Sequence, residues 1–392
     1  MDQPIIVVGA GQAAVELAIA LRAGGFAGAI RVAGDEAYLP YQRPPLSKDF
    51  LAGRSPYEKL VLRPENFWRD QKVEFLPGTA AAGIDRAKCR LGLADGRTLD
   101  YGALVLATGT RARVPPLPGI ELSGVFALRK IDDVKRLRPA LDAAKRVAIV
   151  GGGYIGLEVA AVARGEGREV VVLEAEERVM KRVTCAEVSA FYEALHRGRG
   201  VDVRTDCRIE AVEGDISRDQ VRATAVRIAG GERIEADLVL VSTGARPNEE
   251  LASAAGLACE DGILVDEHAR TADEHIYAIG DCTRFPSRRY GRKIRLECVQ
   301  NAIDQAKTAS ATILGKAATY DPVPWFWSDQ YDVKFQSCGL STVHDAAKVA
   351  GDPSAAHFSV EYRKAGRLIA VDAINDARAY MMGRKNIALE TA

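Results

Sequence analysis

The chain has 392 residues, which is too many for a single hydrophobic core, so two or three domains are expected. Its 53 basic and 53 acidic residues balance, and its apolar and aromatic fractions are those of a globular protein. This balance excludes a global electrostatic attraction to nucleic acid or to a membrane surface, so any basic docking surface must be a local patch.

The N-terminal sequence and the cysteines bear on the compartment. The first residues contain no basic leader or cleavage site, and no apolar run is long enough to span a bilayer. The seven cysteines are scattered without CxxC spacing, and the five histidines are not clustered. These features predict a cytoplasmic protein without a metal site or a redox disulfide.

The chain opens with a glycine-rich turn between two predicted strands. The predicted elements are a strand at 5–8, a glycine turn at 9–14, a helix at 15–23 and a strand at 30–33. Gly9, Gly11 and Ala14 occupy the three small-residue positions of a dinucleotide-binding turn, in which alanine is allowed at the third. Asp35 and Glu36 follow the second strand, so either carboxylate can bind a nucleotide ribose.

A proline-rich loop at 38–49 follows, with Arg43 and Lys48 close in sequence to the first nucleotide site. Ser47 is predicted to cap a short helix in this loop. The two cations have two interpretations, which stay open at this point. They are solvated charges of a surface loop, or, in a flavoprotein, cations that favour the anionic reduced flavin.

Short strands with turn signals at 65–101 predict a small antiparallel insert. The next apolar run, at 104–107, ends in a small-residue turn at Thr108 and Gly109, which we count as a nucleotide contact. The proline-rich stretch at 114–119 then marks a change of domain.

The second dinucleotide fingerprint is complete. Its elements are a strand at 147–150, a glycine turn, a helix at 157–168 and a strand at 170–173. Gly151 permits the tight turn, Gly153 lets the backbone approach a pyrophosphate, and Gly156 allows close packing of helix and strand. The helix N-terminus offers free N–H groups to the phosphates. Glu174 ends the second strand, where its carboxylate would bind both ribose hydroxyls and repel a 2′-phosphate, so NADH is preferred over NADPH.

Two fingerprints, 142 positions apart, predict two bound dinucleotides, of which FAD with a nicotinamide nucleotide is the common pair. Helix is predicted near 191–197, and strands are predicted at 201–204, 209–212, 221–228 and 238–241. Gly244 follows the last of these, where the chain returns to the first domain. Asp281 ends a further strand at 276–278, where its carboxylate either binds ribityl hydroxyls or caps a helix. A helix is predicted from Val299 to Ile313.

The composition changes again near position 320. Strands at 358–362 and 368–371 predict a small third domain, in which Trp325 and Trp327 either fill the core or shield a flavin edge. The predicted fold class is therefore α/β, with two Rossmann-like dinucleotide-binding domains and a small α+β C-terminal domain. The predicted boundaries are 1–115 with 244–320 for a discontinuous FAD domain, 116–243 for the NADH domain and 321–392 for the C-terminal domain.

These motifs resemble those of the FAD-dependent, NADH-specific ferredoxin reductases of bacterial oxygenase systems, a family that includes putidaredoxin reductase and biphenyl dioxygenase ferredoxin reductase. The resemblance covers nearly the whole chain and rests on YQRPPLSKDFLAG at 41–53, LVLATG at 104–109, VGGGYIGLEVAA at 150–161, SAFYEALHR at 189–197, IGDC at 279–282 and PWFWSDQYD at 324–332. Members of this family continue beyond the position of Ala392, so the third domain is expected to be shortened.

The resemblance implies electron transfer from NADH to FAD and then to a [2Fe–2S] ferredoxin that feeds a haem monooxygenase or a Rieske dioxygenase. The protein orients the rings and tunes the flavin, so no acid, base or nucleophile is required. Lys48 and Glu158 are the implied catalytic residues, beside the flavin and the nicotinamide. The implied FAD contacts are Gly9, Gly11, Ala14, Asp35, Arg43, Lys48, Arg129, Asp281, Val299 and Trp327. The implied NADH contacts are Gly151, Gly153, Tyr154, Ile155, Gly156, Glu174 and Gly244.

The acceptor is the least determined part of this interpretation. Ferredoxins of this type are acidic, so a local basic face is expected, with candidates Arg284, Arg288, Arg289, Arg292, Lys293, Arg295 and Lys307. A rubredoxin reductase, a general NADH diaphorase and a redox-sensing interaction protein resembling apoptosis-inducing factor remain alternatives. A disulfide or peroxide reductase would need a cysteine near the flavin, and residues 36–50 contain none. The chain is expected to be a monomer or a weak homodimer.

Overall fold

A computed structural model describes residues 3–217 and 220–390 of the chain. The helices in this part are α1 (Gln12–Ala23), α2 (Glu65–Asp70), α3 (Ile131–Ala143), α4 (Tyr154–Gly165), α5 (Ala186–Gly198), α6 (Glu250–Ala254), α7 (Val299–Ile313) and α8 (Ala377–Leu389). Short 3-10 helices are formed by Pro44–Ser47, Tyr57–Lys59, Gly280–Cys282 and Pro353–Ala355.

The strands are β1 (Ile5–Val8), β2 (Ile30–Ala33), β3 (Val73–Leu76), β4 (Ala81–Asp85), β5 (Arg90–Leu93), β6 (Thr98–Asp100), β7 (Ala103–Leu106), β8 (Thr110–Ala112), β9 (Val125–Ala127), β10 (Arg146–Val150), β11 (Glu169–Leu173), β12 (Asp202–Arg204) and β13 (Ile209–Ser217). They continue with β14 (Gln220–Ile228), β15 (Arg233–Glu235), β16 (Leu238–Val241), β17 (Ala245–Pro247), β18 (Ile263–Leu264), β19 (Ile276–Ala278), β20 (Thr283–Ser287), β21 (Arg292–Ile294), β22 (Trp325–Gln330), β23 (Val333–Gly339), β24 (Ala346–Asp352), β25 (His357–Lys364) and β26 (Arg367–Ile374).

The chain divides into two compact units. The first unit comprises residues 1–42, 57–111 and 246–324, and the second comprises residues 43–56, 112–245 and 325–392. The predicted division into three domains, with boundaries near 115, 243 and 320, remains a prediction. Within the described ranges, no helix has the length and apolar character needed to cross a membrane.

The first unit is built on a five-stranded sheet in the order β19-β7-β1-β2-β3, with every neighbouring pair parallel. Its central strand, Ile5–Val8, is buried along its whole length, as expected for a parallel sheet whose two faces are both covered. Helices α1 and α7 pack together over this sheet. The predicted antiparallel insert is confirmed for β4-β5-β6, but it is smaller than expected, because 65–70 is helical and β3 joins the parallel sheet.

The second unit contains its own parallel sheet, in the order β12-β11-β10-β16-β9, and an antiparallel sheet of β13, β14 and β15. Helix α4 follows β10 directly and packs on β10 and β11. The strand at 238–241 lies in this sheet beside β10, so the chain completes the second sheet before the first unit resumes at position 246.

The C-terminal part of the second unit is an antiparallel sheet in the order β22-β23-β26-β25-β24, with α8 packed on β23 and β26. Its core includes Phe335, Phe358 and Tyr362, which are fully buried. The predicted fold class, with two Rossmann-like domains and a small α+β C-terminal domain, is confirmed by this architecture together with the comparisons reported below.

Candidate active site

The first glycine turn joins β1 to α1 in the first unit. Gly9 has a φ of +104°, and a Cβ at this position would lie 2.2 Å from the carbonyl oxygen of Ala107, so only glycine fits. Gly11 precedes the helix, and no other atom lies within 4 Å of its Cβ position. The space beside Gly11, just before α1, is therefore open, which would let a ligand approach the backbone there.

The third position of the turn differs between the two sites. In the first site Ala14 is fully buried, so the packing of α1 accommodates a methyl group. In the second site a Cβ on Gly156 would lie 2.2 Å from the carbonyl oxygen of Gly151. Helix α4 therefore lies too close to its glycine turn for an alanine at position 156, whereas α1 leaves room for the alanine at position 14.

Three predicted carboxylates lie just after strands of the first unit. Asp35 is exposed just after β2, whereas the Glu36 carboxylate accepts a hydrogen bond of 2.5 Å from the Tyr41 hydroxyl. Asp281 follows β19, and its carboxylate accepts a hydrogen bond of 3.4 Å from the hydroxyl of Thr110 on β8. Asp35 is thus the more accessible of the two ribose candidates.

The turn after β7 is held by a reciprocal pair of hydrogen bonds. The Thr108 hydroxyl donates to the carbonyl of Asn248 at 2.6 Å, and the Asn248 amide donates to the carbonyl of Thr108 at 2.8 Å. Gly109 follows with a φ of +63°, and Val299 is the first residue of α7. These residues belong to the first unit, as do Gly9 and Asp281.

The second glycine turn repeats the geometry of the first. Gly151 has a φ of +105°, and a Cβ there would lie 2.4 Å from the carbonyl oxygen of Ser242. No atom lies within 4 Å of the Cβ position of Gly153, which precedes α4. The side chain of Ile155 is 39% exposed in the first helical turn, which leaves an apolar surface for a ligand to cover.

Two backbone N–H groups hold the carboxylate of Glu174, one of them in the second glycine turn. Its carboxylate accepts the Gly152 N–H at 2.6 Å and the Glu176 N–H at 2.9 Å. These two donors fix the position of the carboxylate at the end of β11. Gly244, after β16, has a φ of +107°, and a Cβ there would lie 3.1 Å from the Arg182 guanidinium.

A buried ion pair joins the two predicted catalytic residues. Glu158 lies on α4 with 4% of its side chain exposed, and its Oε2 atom is 2.8 Å from the Lys48 ammonium. The same oxygen accepts the Ser47 hydroxyl at 2.5 Å, and Oε1 accepts the Ser328 hydroxyl at 2.6 Å. Three donors therefore offset the desolvation cost of burying the Glu158 carboxylate.

The prediction for Ser47 was wrong. Ser47 lies inside the 3-10 helix Pro44–Ser47 and makes no capping hydrogen bond, because its hydroxyl donates to Glu158 instead. Ser328 belongs to the PWFWSDQYD motif at 324–332, but it was not predicted as a site residue. A further signal for it was the alternation along β22, in which Ser328 and Gln330 are buried and Asp329 is exposed.

The remaining predicted residues of the second unit are Arg43, Arg129, Tyr154 and Trp327. The Arg43 guanidinium donates to the backbone carbonyl of Arg129 at 2.9 Å. The ring of Tyr154 packs on Phe326, with centroids 4.6 Å apart, so helix packing accounts for its position. Trp327 is partly buried on β22.

A second buried carboxylate, Asp372, lies on β26. It is 2% exposed, and burial raises its pKa to about 6, although hydrogen bonds from Thr184 and Tyr362 partly offset this effect. Both hydroxyls donate to its Oδ2 atom at 2.5 Å. Asp372 therefore ties the segment before α5 to the C-terminal sheet.

Six of the seven cysteines are unsuited to thiol chemistry at neutral pH. All seven are free, and burial raises the pKa of six of them, namely Cys185, Cys207, Cys259, Cys282, Cys298 and Cys338. A thiol is nucleophilic only as the thiolate, so these groups stay unreactive at neutral pH. Among residues 3–217 and 220–390, no cluster of three or more His, Cys, Asp or Glu side chains is arranged to bind a metal ion.

Comparison with known proteins covers the whole of this architecture. Residues 3–310 match the family model of the pyridine nucleotide-disulphide oxidoreductases, and residues 325–392 match the reductase C-terminal family. The chain is 44% identical over 380 residues to the ferredoxin reductase subunit of a 5,5′-dehydrodivanillate O-demethylase from a Sphingobium species, covering 97% of this chain and 92% of that protein.

Two further matches link sequence and structure. The chain is 44% identical over 376 residues to putidaredoxin reductase from Pseudomonas putida, covering 95% of this chain and 88% of that protein. It superimposes with a TM-score of 0.95 on a chain in the crystal structure of the covalent putidaredoxin reductase–putidaredoxin complex, at 42% identity, covering 98% of this chain and 93% of the other.

Proposed function

Because the chain belongs to the pyridine nucleotide-disulphide oxidoreductase family, we propose that it is a ferredoxin reductase that passes electrons from NADH through FAD to a [2Fe–2S] ferredoxin serving an oxygenase. Family members and the related ferredoxin reductases use FAD and NAD(H), and the chain is an NAD(P)H-dependent oxidoreductase. The observation that supports the assignment best is the pair of glycine turns, each followed by a helix and each with open space at the glycine that precedes that helix.

The first turn is suited to FAD. The α1 N-terminus, with Gly9 and Gly11, would hold the pyrophosphate, and Asp35 would bind the ribose of the adenosine. Asp281 is placed at a strand end, where a carboxylate can accept hydrogen bonds from ribityl hydroxyls. When bound, FAD accepts a hydride equivalent from NADH and releases two electrons singly, which is chemistry that the protein itself does not supply.

The second turn is suited to NADH. The first turn of α4, with Gly153, Tyr154 and Ile155, would bind the pyrophosphate, and the exposed face of Ile155 would be covered by the nucleotide. Glu174 would accept hydrogen bonds from both hydroxyls of the adenosine ribose. A 2′-phosphate would bring negative charge beside this fixed carboxylate, so NADPH is disfavoured.

Lys48 and Glu158 act on the flavin through charge. We assign Lys48 the role of a cation that favours the anionic reduced flavin, and Glu158 the role of holding and neutralising that cation while the flavin is oxidised. Arg43, Arg129 and Trp327 would complete the flavin environment. No disulfide step is needed, because buried thiols stay protonated and the region around Lys48 has no cysteine.

The ferredoxin partner is an iron–sulfur protein, and we propose that it docks on a local basic face. Ion pairs among the candidate cations include Arg284 with Glu260, Arg288 with Glu267, Arg295 with Asp261 and Glu297, and Lys307 with Asp304. Their net field is therefore weaker than the number of cations indicates, so we expect a moderate salt dependence. A cytoplasmic location and a monomeric or weakly dimeric state are parts of the same proposal.

An acceptor panel tests the assignment. Purified holoprotein is reduced by NADH in the presence of ferricyanide, a [2Fe–2S] ferredoxin, a rubredoxin or a small disulfide, and turnover is measured at low and high salt. Fast turnover with the ferredoxin that falls as salt rises is expected. Ferricyanide turnover without ferredoxin turnover would refute the partner while leaving the NADH and flavin half intact.

A further inference from the structure

A row of hydrogen bonds leads away from Glu158 through four other side chains of the second unit. The Ser328 hydroxyl is 2.6 Å from Glu158, and the Gln330 amide nitrogen is 3.4 Å from the Ser328 oxygen. The Gln330 oxygen is 2.9 Å from His196 Nε2, and the Tyr331 hydroxyl is 3.3 Å from His196 Nδ1. Ser328, Gln330 and His196 are at most 1% exposed, so each depends on its neighbours for hydrogen bonds.

The chemistry of each group fixes the direction of every hydrogen bond. A carboxylate only accepts, so Ser328 donates its one hydroxyl hydrogen to Glu158 and must accept the Gln330 N–H. This turns the Gln330 carbonyl toward His196, which must then donate from Nε2. Because burial lowers the pKa of His196, the ring is neutral at pH 7 and its Nδ1 atom accepts from Tyr331.

The outer end of the row is secured at the turn after β22. Burial raises the pKa of Tyr331 to about 12, so its hydroxyl keeps the proton that it donates to His196. The guanidinium of Arg199 lies 5.0 Å from the Tyr331 ring centroid and forms an ion pair with Asp332. All donations therefore run in one direction, from Tyr331 inward to Glu158.

We propose that four positioning residues hold the Glu158 carboxylate against the Lys48 ammonium: Tyr331, His196, Gln330 and Ser328. The tautomer of His196 sets the orientation of the Gln330 amide and, through it, of the Ser328 hydroxyl. With the proton on Nδ1 instead, the Gln330 amide would rotate and present its carbonyl to Ser328. The Ser328 hydroxyl would then turn away from Glu158, and Oε1 would lose its donor while remaining buried. The effect on catalysis rests on the proposed role of Lys48 at the flavin.

The tautomer can be measured without turnover. The chain has only five histidines, so long-range proton–nitrogen NMR spectra of 15N-labelled holoprotein resolve the ring nitrogens, and His196→Gln identifies the signal. A neutral ring protonated on Nε2 at pH 7 is expected, and Tyr331→Phe should give a mixture of tautomers. A ring protonated on Nδ1, or a charged ring, in the wild-type protein would overturn the proposal.

The functional consequence is measured by stopped-flow reduction of the flavin by NADH. Loss of a hydrogen bond to a charged group should slow the limiting rate in Ser328→Ala by about tenfold, with the NADH dissociation constant changed by less than about twofold. Ser328→Thr keeps the hydroxyl and should restore the rate. The matched control is Tyr192→Phe on the same helix as His196, because the buried Tyr192 hydroxyl has no hydrogen-bond partner among residues 3–217 and 220–390.

A wild-type rate in Ser328→Ala, or a rate in folded Ser328→Thr as low as that of Ser328→Ala, would refute the proposal. Reduction of the wild-type flavin by NADH tests the reductase assignment separately, because it does not depend on any of these variants. A wild-type protein that NADH fails to reduce would therefore refute the assignment, whereas the NMR result would still decide the arrangement of His196.

Discussion

The close approach of α4 to its glycine turn leaves no room for a side chain at Gly156 in the proposed NADH site. A methyl group at Gly156 would lie 2.2 Å from the carbonyl oxygen of Gly151 and 3.3 Å from the Ile149 side chain. The first of these contacts is about 1 Å too short, and a backbone carbonyl cannot swing aside as a flexible side chain can. We therefore expect Gly156→Ala to displace α4.

The magnitude follows from two opposing effects. Overpacking of a well-packed core costs about 1–3 kcal/mol, while alanine gains up to about 1 kcal/mol over glycine in a helix. A contact with rigid backbone belongs at the upper end of the first range, so a net loss of about 1–2 kcal/mol is expected. The displaced helix N-terminus should also weaken NADH binding by about tenfold.

The matched control is Gly165→Ala at the other end of the same helix. Gly165 is exposed, and no atom lies within 4 Å of its Cβ position, so the same substitution should stabilise the protein by a few tenths of a kcal/mol, up to about 1 kcal/mol. Urea midpoints of the holoproteins and NADH titrations measure both effects. A Gly156→Ala protein as stable as Gly165→Ala, with unchanged NADH affinity, would refute the argument from close approach.

Three further predictions follow from single contacts. Glu174→Gln keeps an oxygen to accept the Gly152 N–H but removes the charge, so kcat/KM for NADPH should rise by about tenfold relative to that for NADH; an unchanged ratio in steady-state assays would exclude the carboxylate as the selector. Burial raises the pKa of Asp372 from 3.8 to about 6, so between these pH values the native state binds a proton that the unfolded state does not. The free energy of unfolding should therefore fall as the pH rises from 3.8 to about 6. Asp372→Asn should lack this fall, as urea midpoints at about pH 5 and about pH 7.5 would show. Gly9→Ala, with its Cβ 2.2 Å from the Ala107 oxygen and a φ of +104°, should purify with little bound flavin; a normal ratio of flavin to protein absorbance would contradict this expectation.

Elements whose pattern is local could be predicted closely from the sequence. The strands at Ile5–Val8 and Ile30–Ala33 and the helix at Val299–Ile313 have the predicted bounds, because unbroken apolar runs and glycine turns delimit them. Helix α4 begins three residues earlier than predicted, since the residues after Gly153 are already helical. The six-residue α2 gave too short a pattern to be distinguished from the strands around it.

The candidate site was predictable in its residue types but not in its contacts. The glycines, Glu174 and Lys48 stand out because their chemistry and spacing are local. Ser47 was wrongly predicted to cap a helix, because its true partner lies 111 positions away on α4. The roles of Ser328, Gln330 and His196 depend on the packing of β22 against α4 and α5, and alternation along a strand identifies a buried face without identifying what covers it.

Because the residues that contact Glu158 are far apart in the sequence, the ribosome synthesises them at different times. Lys48 leaves the ribosome before α4, but Ser328 follows Glu158 by 170 residues. At about 5–20 residues per second, the nascent chain carries α4 for about 10–30 s before β22 exists to cover it. During that interval the α4 face with Tyr154 and Glu158 must stay hydrated or be shielded by a chaperone. The second unit is thus completed only after the segment from position 325 onward has been synthesised.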